Sequence, residues 1–297
     1  MEGKGQIKKY RRDIDSLKGI AVLAVIFYHM GFMKNGYLGV DIFFVINGFL
    51  VVPSIYMESS EGTFNPIRFM KKRAGRLYPL LIVICAVSLF IGFFLMFPDD
   101  LNTLSELVIA TLTFSNKMLS FYLCRDYWDW TNDFKPLMHT WYLGVLMQIY
   151  LFISLLLLLL RKKLRIKGNK MLQYVIWSSG IISVFLFLFP GINRDIKFYF
   201  FPFRLFEFCA GGCAGINAEK YSQLIQKRSR SCSNKIMYYS CMVLIGLLLV
   251  SGIWNPGIAG DYLRLFLVGI TSLLLLWGGF FLFSDIEINL LAWKNEL

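Results

Sequence analysis

Long apolar runs, rich in leucine and phenylalanine, recur along almost the whole chain of 297 residues. A helix needs about 20 consecutive apolar residues to cross the hydrocarbon core of a bilayer, and several runs reach that length. Hydrophobic residues make up 57% of the chain and charged residues 17%, whereas soluble domains average about 25% charged. The sequence therefore predicts an all-α integral membrane protein. It excludes a soluble enzyme, a disulfide-stapled secreted module and a disordered chain.

Eight of these runs are interpreted as transmembrane helices of one polytopic bundle, a single membrane domain over residues 1–297 with no soluble domain. The predicted spans are Leu17–Met33, Gly36–Tyr56, Leu77–Phe97, Leu137–Leu160, Leu172–Phe189, Phe198–Asn217, Met237–Trp254 and Tyr262–Phe283. A further stretch, Leu101–Tyr122, is only moderately apolar, and we interpret it as a re-entrant or interfacial helix. A full crossing there would place the basic run at 161–167 on the outer side, against the positive-inside rule.

The net charge of +12 follows the predicted loops. With the N-terminus in the cytoplasm, most of the 31 lysines and arginines fall on the cytoplasmic side, in the N-terminal segment and near 57–76, 161–170 and 218–235. Cytoplasmic loops of membrane proteins carry such an excess. The basic balance therefore predicts a cytoplasmic N-terminus and indicates no nucleic-acid partner.

Polar side chains interrupt four of the predicted spans, where ionisable residues are costly and mark functional sites by default. They include His29, Asp41 with Asn47, His139, and Arg204 with Glu207. At 1.5 Å of rise per residue, these groups fall at similar depths in the outer half of the bilayer. We therefore predict that they share one polar layer.

The first predicted span places three of its polar residues on one face. Lys18 and His29 are eleven residues apart, and eleven steps of about 100° return almost to the starting direction. Asp15 belongs to the same face, so a cation lies at the cytoplasmic mouth with an imidazole deeper in the membrane. A neutral imidazole suits proton abstraction from a hydroxyl, although a histidine satisfied by a neighbouring helix is the structural alternative.

The other polar residues also have a purely structural interpretation. Arg204 and Glu207 have the i, i+3 spacing of a helical ion pair that would neutralise itself in the membrane. Arg73 and Arg76 lie just inside the third span, where basic residues commonly anchor a helix to anionic headgroups. The segment from His139 to Trp141 is compatible with an interfacial aromatic belt.

Four motifs, in this order, resemble the membrane acyltransferase family three, which comprises multi-span O-acyltransferases of bacterial surface polysaccharides and peptidoglycan. They are DIDSLKGIAVLAVIFYHMGF followed by GYLGVDIFFVINGFLV, then RFMKKRAGRLYPLL, PLMHTWYLGVLMQIYL and FPFRLFEFCAGG. The motifs span the region from Asp13 to Gly212. The resemblance implies a multi-pass protein of the bacterial plasma membrane, embedded in the lipid bilayer.

The same resemblance implies the chemistry. The donor would be acyl-CoA from the cytosol, with acetyl-CoA the expected form, and the acceptor a hydroxyl of a glycan or lipid-linked sugar; no metal is expected. His29 would act as catalytic base or transient acyl carrier, with Arg204, Glu207 and His139 as further catalytic residues. Lys18, Arg73 and Arg76 would hold the phosphates of the coenzyme. Substrate-orienting roles are expected for Asp15, Asp41, Asn47 and Trp141.

Two other hypotheses stay open. A polytopic carrier of an anionic or sugar substrate would use the same polar layer, but it predicts pseudo-symmetric halves with broken helices, and the sequence has no evident internal repeat. The second hypothesis is a truncated, non-catalytic paralogue. Family members usually carry two glutamates where this chain has Leu146 and Met147, and we expect the chain to lack the family's closing span.

Overall fold

The regular elements of the described chain are helical. The computed structural model describes residues 12–115, 137, 140–163, 168–220, 232–250 and 261–276. The helices are α1 (Arg12–His29), α2 (Gly39–Ser60), α3 (Pro66–Leu95), α4 (Pro98–Leu112), α5 (Trp141–Lys163), α6 (Gly168–Leu188), α7 (Arg194–Tyr199), α8 (Leu205–Lys220), α9 (Cys232–Val250) and α10 (261–276). Two 3-10 turns, Gly36–Leu38 and Phe201–Phe203, precede α2 and α8. The predicted all-α class is confirmed.

Four described helices are long and apolar enough to cross a membrane. They are Gly36–Ser60, which includes the 3-10 turn before α2, Pro66–Leu95, Trp141–Leu160 and Gly168–Leu188. They coincide with the second to fifth predicted spans. Many of their large apolar side chains are exposed, among them Phe90 and Phe94 on α3, as expected for helices whose solvent is lipid rather than water. The chain is therefore a membrane protein.

The first predicted span is displaced in the structure. Instead of Leu17–Met33, the helix covers Arg12–His29 and has 18 residues. Asp13 and Asp15 lie in its first turn, where carboxylates interact favourably with the helix dipole. Gly31 follows with a φ of +78°, a conformation that favours glycine. The helix therefore begins among charged residues that the apolar pattern had assigned to the loop, and it ends at His29.

The basic segment before the third span is helical rather than part of a long loop. The side chain of Asn65 caps α3 by accepting hydrogen bonds from the backbone N–H groups of Ile67 and Arg68, and Pro66 occupies the first turn. These are strong start signals. The loop predicted over 57–76 is therefore reduced to 61–65, and Arg73 and Arg76 lie inside the 30-residue helix α3.

The sixth predicted span, Phe198–Asn217, is not continuous. The short helix α7 ends at Tyr199, the 3-10 turn Phe201–Phe203 follows, and α8 begins at Leu205. Pro202 within the turn has no N–H to donate and restricts the residue before it. Hydropathy alone does not register such a break because the residues on both sides of it are apolar.

The remaining predicted elements are described only in part. The stretch Leu101–Tyr122 appears as α4, an amphipathic 15-residue helix that ends at Leu112, and residues 116–122 lie outside the described residues. The seventh predicted span corresponds to α9, whose apolar part is Tyr239–Val250. The eighth corresponds to α10, and residues beyond 276 lie outside the described residues.

The chain divides into two compact units, residues 1–53 with 210–297 (unit 1) and residues 54–209 (unit 2). In unit 1, glycines permit very close backbone packing: a Cβ at Gly36 would clash with the carbonyl oxygen of Ala24, and one at Gly211 would clash with the carbonyl oxygen of Val45. In unit 2, Gly168 approaches the carbonyl oxygen of Ser59 in the same way. Small residues thus let helices of each unit approach closely, as is common in membrane bundles.

Candidate active site

His29 is the last residue of α1, and its side chain is exposed. Its ring lies edge-on to that of Tyr28, with the centroids 5.2 Å apart. Tyr28 in turn contacts Tyr37 of the following 3-10 turn, at 5.8 Å between centroids. The imidazole therefore stands at a helix end, beside an aromatic pair, and remains accessible to a substrate.

Lys18 lies in the N-terminal half of the same helix. Its Nζ donates a 3.0 Å hydrogen bond to Asp15 Oδ1, and both side chains are 41% exposed. Eleven residues of helical rise place Lys18 about 16 Å from His29 along the axis. Lys18 and His29 thus lie on one continuous helix, and the functional role of its predicted polar face stays a prediction.

Asp41 and Asn47, both predicted to orient substrate, lie on α2. The Asp41 carboxylate is 1% exposed and faces Arg264 of α10, with 3.7 Å between Asp41 Oδ2 and Arg264 Nε. The side-chain amide of Asn47 donates to the carbonyl oxygen of Phe43 at 3.0 Å. Asp41 is therefore engaged by a cation of its own unit, and Asn47 is half-buried along its own helix.

Arg204 and Glu207 form a buried ion pair in unit 2. Nη1 of Arg204 donates to Oε1 of Glu207 at 2.7 Å, and both side chains are 0% exposed. Arg204 Nε also donates to the carbonyl oxygen of Phe198 at 3.3 Å. Arg204 lies just before α8 and Glu207 in the first turn of α8, so the two side chains keep the i, i+3 spacing of neighbours on a helix. The i, i+3 pairing expected from the sequence is thus present.

An aromatic wall surrounds that pair. The Arg204 guanidinium lies over the Phe198 ring, at 4.9 Å from Cζ to the centroid. Trp141, which is 2% exposed, contacts Phe198 at 4.5 Å and Tyr199 at 5.9 Å. Cation–π contacts of this kind strengthen when water is excluded. Trp141 therefore packs on the ring that supports Arg204, and its predicted substrate-orienting role stays a prediction.

Arg73 is held between aromatic rings of unit 2. Its guanidinium carbon lies 5.3 Å from the Phe69 centroid and 5.9 Å from the Tyr150 centroid. Its Nε is buried and has no hydrogen-bond partner among the described residues. Arg76, one turn further along α3, is exposed. Arg73 is thus a fixed, half-buried cation with a donor to spare, and Arg76 is a solvent-facing one.

Several predicted residues are not brought into a common site within one unit. His29, Lys18, Asp15, Asp41 and Asn47 belong to unit 1, whereas Arg73, Arg76, Trp141, Arg204 and Glu207 belong to unit 2. His139 lies outside the described residues. The shared polar layer of four helices therefore stays a prediction.

The sequence reasoning missed two buried cations. Arg264 is 6% exposed and Lys197 9% exposed, and the Nζ of Lys197 lies 5.5 Å from the centroid of the Phe187 ring. The rule that selected His29, an ionisable group within an apolar span, applies to Arg264, which lies within the predicted span Tyr262–Phe283, but not to Lys197, which lies just before the predicted span Phe198–Asn217. They had been assigned to outer loops and helix ends. Leu146 and Met147, where the family resemblance leads us to expect glutamates, are 4% and 7% exposed in α5.

Comparison with known proteins supplies the family. A family model described as an acyltransferase domain matches residues 11–293. A Komagataeibacter xylinus protein with the provisional name membrane-bound transacylase BcsY is 34% identical over 154 residues, covering 52% of this chain and 39% of that protein. The peptidoglycan O-acetyltransferase OatA of Listeria monocytogenes is 29% identical over 213 residues, covering 70% of this chain and 34% of that protein.

Proteins of Staphylococcus aureus with the provisional name O-acetyltransferase are 32% identical over 193 residues, which is 63% of this chain and 31% of theirs. No solved structure shows a significant match to the chain. The chain thus spans about a third of the length of the curated relatives it matches.

Proposed function

The chain belongs to the membrane acyltransferase family three, and we propose that it transfers an acyl group, acetyl being the expected one, from cytosolic acyl-CoA to a hydroxyl of a cell-envelope glycan. Relatives named as O-acetyltransferases, one of them for peptidoglycan, support this class of reaction. The proposed setting is the bacterial plasma membrane, with the N-terminus in the cytoplasm. The acceptor would be a glycan or a lipid-linked sugar.

The observation that carries the proposal is α1, one continuous 18-residue helix with Lys18 in its N-terminal half and the exposed imidazole of His29 at its end. The coenzyme carries phosphates at one end of a long pantetheine arm and the thioester at the other. A cation and a base about 16 Å apart along a single helix match that separation of charge and reactive group. Lys18 would act as a point charge for phosphate.

His29 supplies the proton chemistry in this proposal. Its neutral imidazole takes the proton of the acceptor hydroxyl as the hydroxyl oxygen attacks the thioester carbonyl. The carbon–sulfur bond then breaks, the acyl group stays on the acceptor oxygen, and the proton passes to the departing coenzyme thiolate. If His29 is instead a transient acyl carrier, the imidazole attacks the thioester first and expels the coenzyme thiolate. The acceptor hydroxyl then displaces the imidazole from the acyl group, and its proton passes to the thiolate.

The residues of unit 2 would bind and orient. Arg73 is fixed between two rings and retains an unpartnered Nε among the described residues, and a guanidinium with donors available is suited to phosphate. Arg76 would add a second guanidinium, which is exposed to solvent. Arg204, Glu207 and the predicted His139 would orient the acceptor or polarise the thioester carbonyl, and Trp141 would orient substrate. In unit 1, Asp15, Asp41 and Asn47 would also orient substrate.

Binding of the donor tests the proposal most directly. Purified, correctly folded protein should bind acetyl-CoA by calorimetry, and inside-out vesicles should transfer the labelled acetyl group to envelope glycan. Binding without transfer would contradict the catalytic proposal and favour a non-catalytic paralogue. Absence of binding would remove the donor and favour a carrier or a paralogue that only packs against partners.

A further inference from the structure

Arg264 is a buried cation in α10 for which neither the motifs nor the relatives' names give a role. Its side chain is 7% exposed and lies between two groups of the same unit. Its Nε is 3.7 Å from Asp41 Oδ2, and its Cζ is 5.2 Å from the centroid of the Tyr37 ring. The two buried charges face each other, and removing either one would leave the other uncompensated.

The Tyr37 ring connects this cation to His29. Tyr37 is 7% exposed and meets Tyr28 edge-on, with 70° between the ring planes. Tyr28 meets His29 edge-on in turn, at 77°. Two successive aromatic contacts in preferred geometry therefore lead from the Arg264 guanidinium to the imidazole.

The turn between His29 and α2 is held by the same part of the chain. The side-chain amide of Asn35, which is 1% exposed, donates to the carbonyl oxygen of Leu248 in α9 at 3.2 Å. Gly36 packs against the backbone of Ala24 with no room for a Cβ. Contacts from α9 and α10 thus fix the segment that follows His29, although they are more than 200 residues away in sequence.

We propose that Arg264 is a positioning residue for His29. By holding the Asp41 carboxylate and the Tyr37 ring, Arg264 fixes the aromatic pair against which the imidazole rests. The proposal rests on the function proposed above insofar as His29 is the reacting group. It adds an indirect role for Asp41, through Arg264, to the substrate-orienting role proposed above.

Chemical labelling of the imidazole tests this without relying on transfer activity. The chain has two histidines, so a His139→Gln background leaves His29 as the single histidine that diethylpyrocarbonate can modify. Mass spectrometry on the full chain in membranes reads the rate of modification at His29 itself. Loss of one charge-assisted contact corresponds to about a tenfold change in a local equilibrium. Arg264→Met should therefore speed labelling by roughly that factor, and Arg264→Lys by less.

If Arg264→Met fails to fold, the variants Arg264→Lys and Tyr37→Leu keep the test decisive. Tyr37→Leu retains the ion pair but removes the ring, and it should also speed labelling. Arg68→Met is the matched control, since Arg68 is a 65% exposed arginine of α3, and its labelling rate should equal that of the parent. Parental rates in both Arg264→Lys and Tyr37→Leu would overturn the proposal.

The transfer assay separates this proposal from the function on which it rests. In an active chain, Arg264→Lys should lower the turnover number more than it changes the half-saturating acetyl-CoA concentration, because a misplaced base impairs the chemical step. A chain that shows the labelling changes but transfers no acetyl group would retain the positioning of His29 and refute the proposed function. Equal loss of donor binding and turnover would overturn the positioning role.

Discussion

Nη1 of Arg204 lies 2.7 Å from Oε1 of Glu207, and both side chains are completely buried. Removing one charge of such a pair leaves the other uncompensated, which typically costs about 3–5 kcal/mol. We therefore expect Glu207→Gln to lower strongly the thermal stability of the detergent-solubilised protein. The control is Glu58→Gln, because Glu58 meets the exposed Arg68 at 3.8 Å and such pairs contribute about 0–1 kcal/mol.

A double variant separates the structural role of this pair from a functional one. Arg204→Met with Glu207→Leu removes both charges and retains most of the side-chain volume, a change that is often neutral or stabilising. It should recover much of the stability lost in Glu207→Gln and still fail to transfer acetyl groups. Recovery of transfer along with stability would show that the pair serves only the fold.

His29 should be indispensable to transfer and dispensable to folding. Its side chain is exposed at the end of α1, so His29→Ala removes little buried surface while it removes the proposed base. We expect normal abundance in the membrane and no detectable glycan acetylation. Met30→Ala is the matched control, since Met30 is the 59% exposed neighbour, and it should retain activity. Acetylation by a well-expressed His29→Ala strain would exclude His29 from the mechanism.

Arg73 should govern affinity for the donor. A charge-assisted hydrogen bond contributes about 1.5–3 kcal/mol, so Arg73→Ala should raise the half-saturating acyl-CoA concentration by roughly 10- to 150-fold. The acceptor dependence should hardly change. Lysine at this position should rescue only partly because an ammonium cannot form a fork. Arg68→Ala, an exposed position on the same helix, should behave as the parent, and a similar effect there would indicate only general electrostatic attraction.

The proposed orientation can be tested at the two ends of α3. This helix has 30 residues and is therefore about 45 Å long, so the exposed residues Glu61 and Asp100 flank a complete span. In a background without the six native cysteines, an impermeant thiol reagent should label Asp100→Cys but not Glu61→Cys in intact cells. The reverse pattern would invert the topology and, with it, the proposed direction of transfer.

The close contact at Gly36 predicts a strong effect of a single methyl group. A Cβ there would clash with the carbonyl oxygen of Ala24, and overpacking of this kind costs about 1–3 kcal/mol or more. Gly36→Ala should therefore lower the thermal stability of the protein. Gly19→Ala, on α1 with no atom within 4 Å of its Cβ, should be neutral or stabilising by about 1 kcal/mol. Equal stability of the two variants would contradict the close packing of the turn on α1.

The sequence alone determined the helical membrane class and four of the spans, because apolar length is a local property that needs no partner. It also identified the family, since each of the motifs around His29, Arg73, Trp141 and Arg204 is a continuous stretch of sequence. The i, i+3 spacing was sufficient to pair Arg204 with Glu207 for the same reason.

Tertiary structure decided what depends on distant residues or on backbone breaks. Pro202 divides an apolar run that hydropathy treats as one helix, and this places Arg204 just before α8. The pairing of Asp41 with Arg264 joins α2 to α10, and no periodicity relates residues so far apart. A charge inside an apolar helix requires a partner of opposite charge, but the sequence does not show which residue that partner is. The packing of the helices decides which buried charges pair.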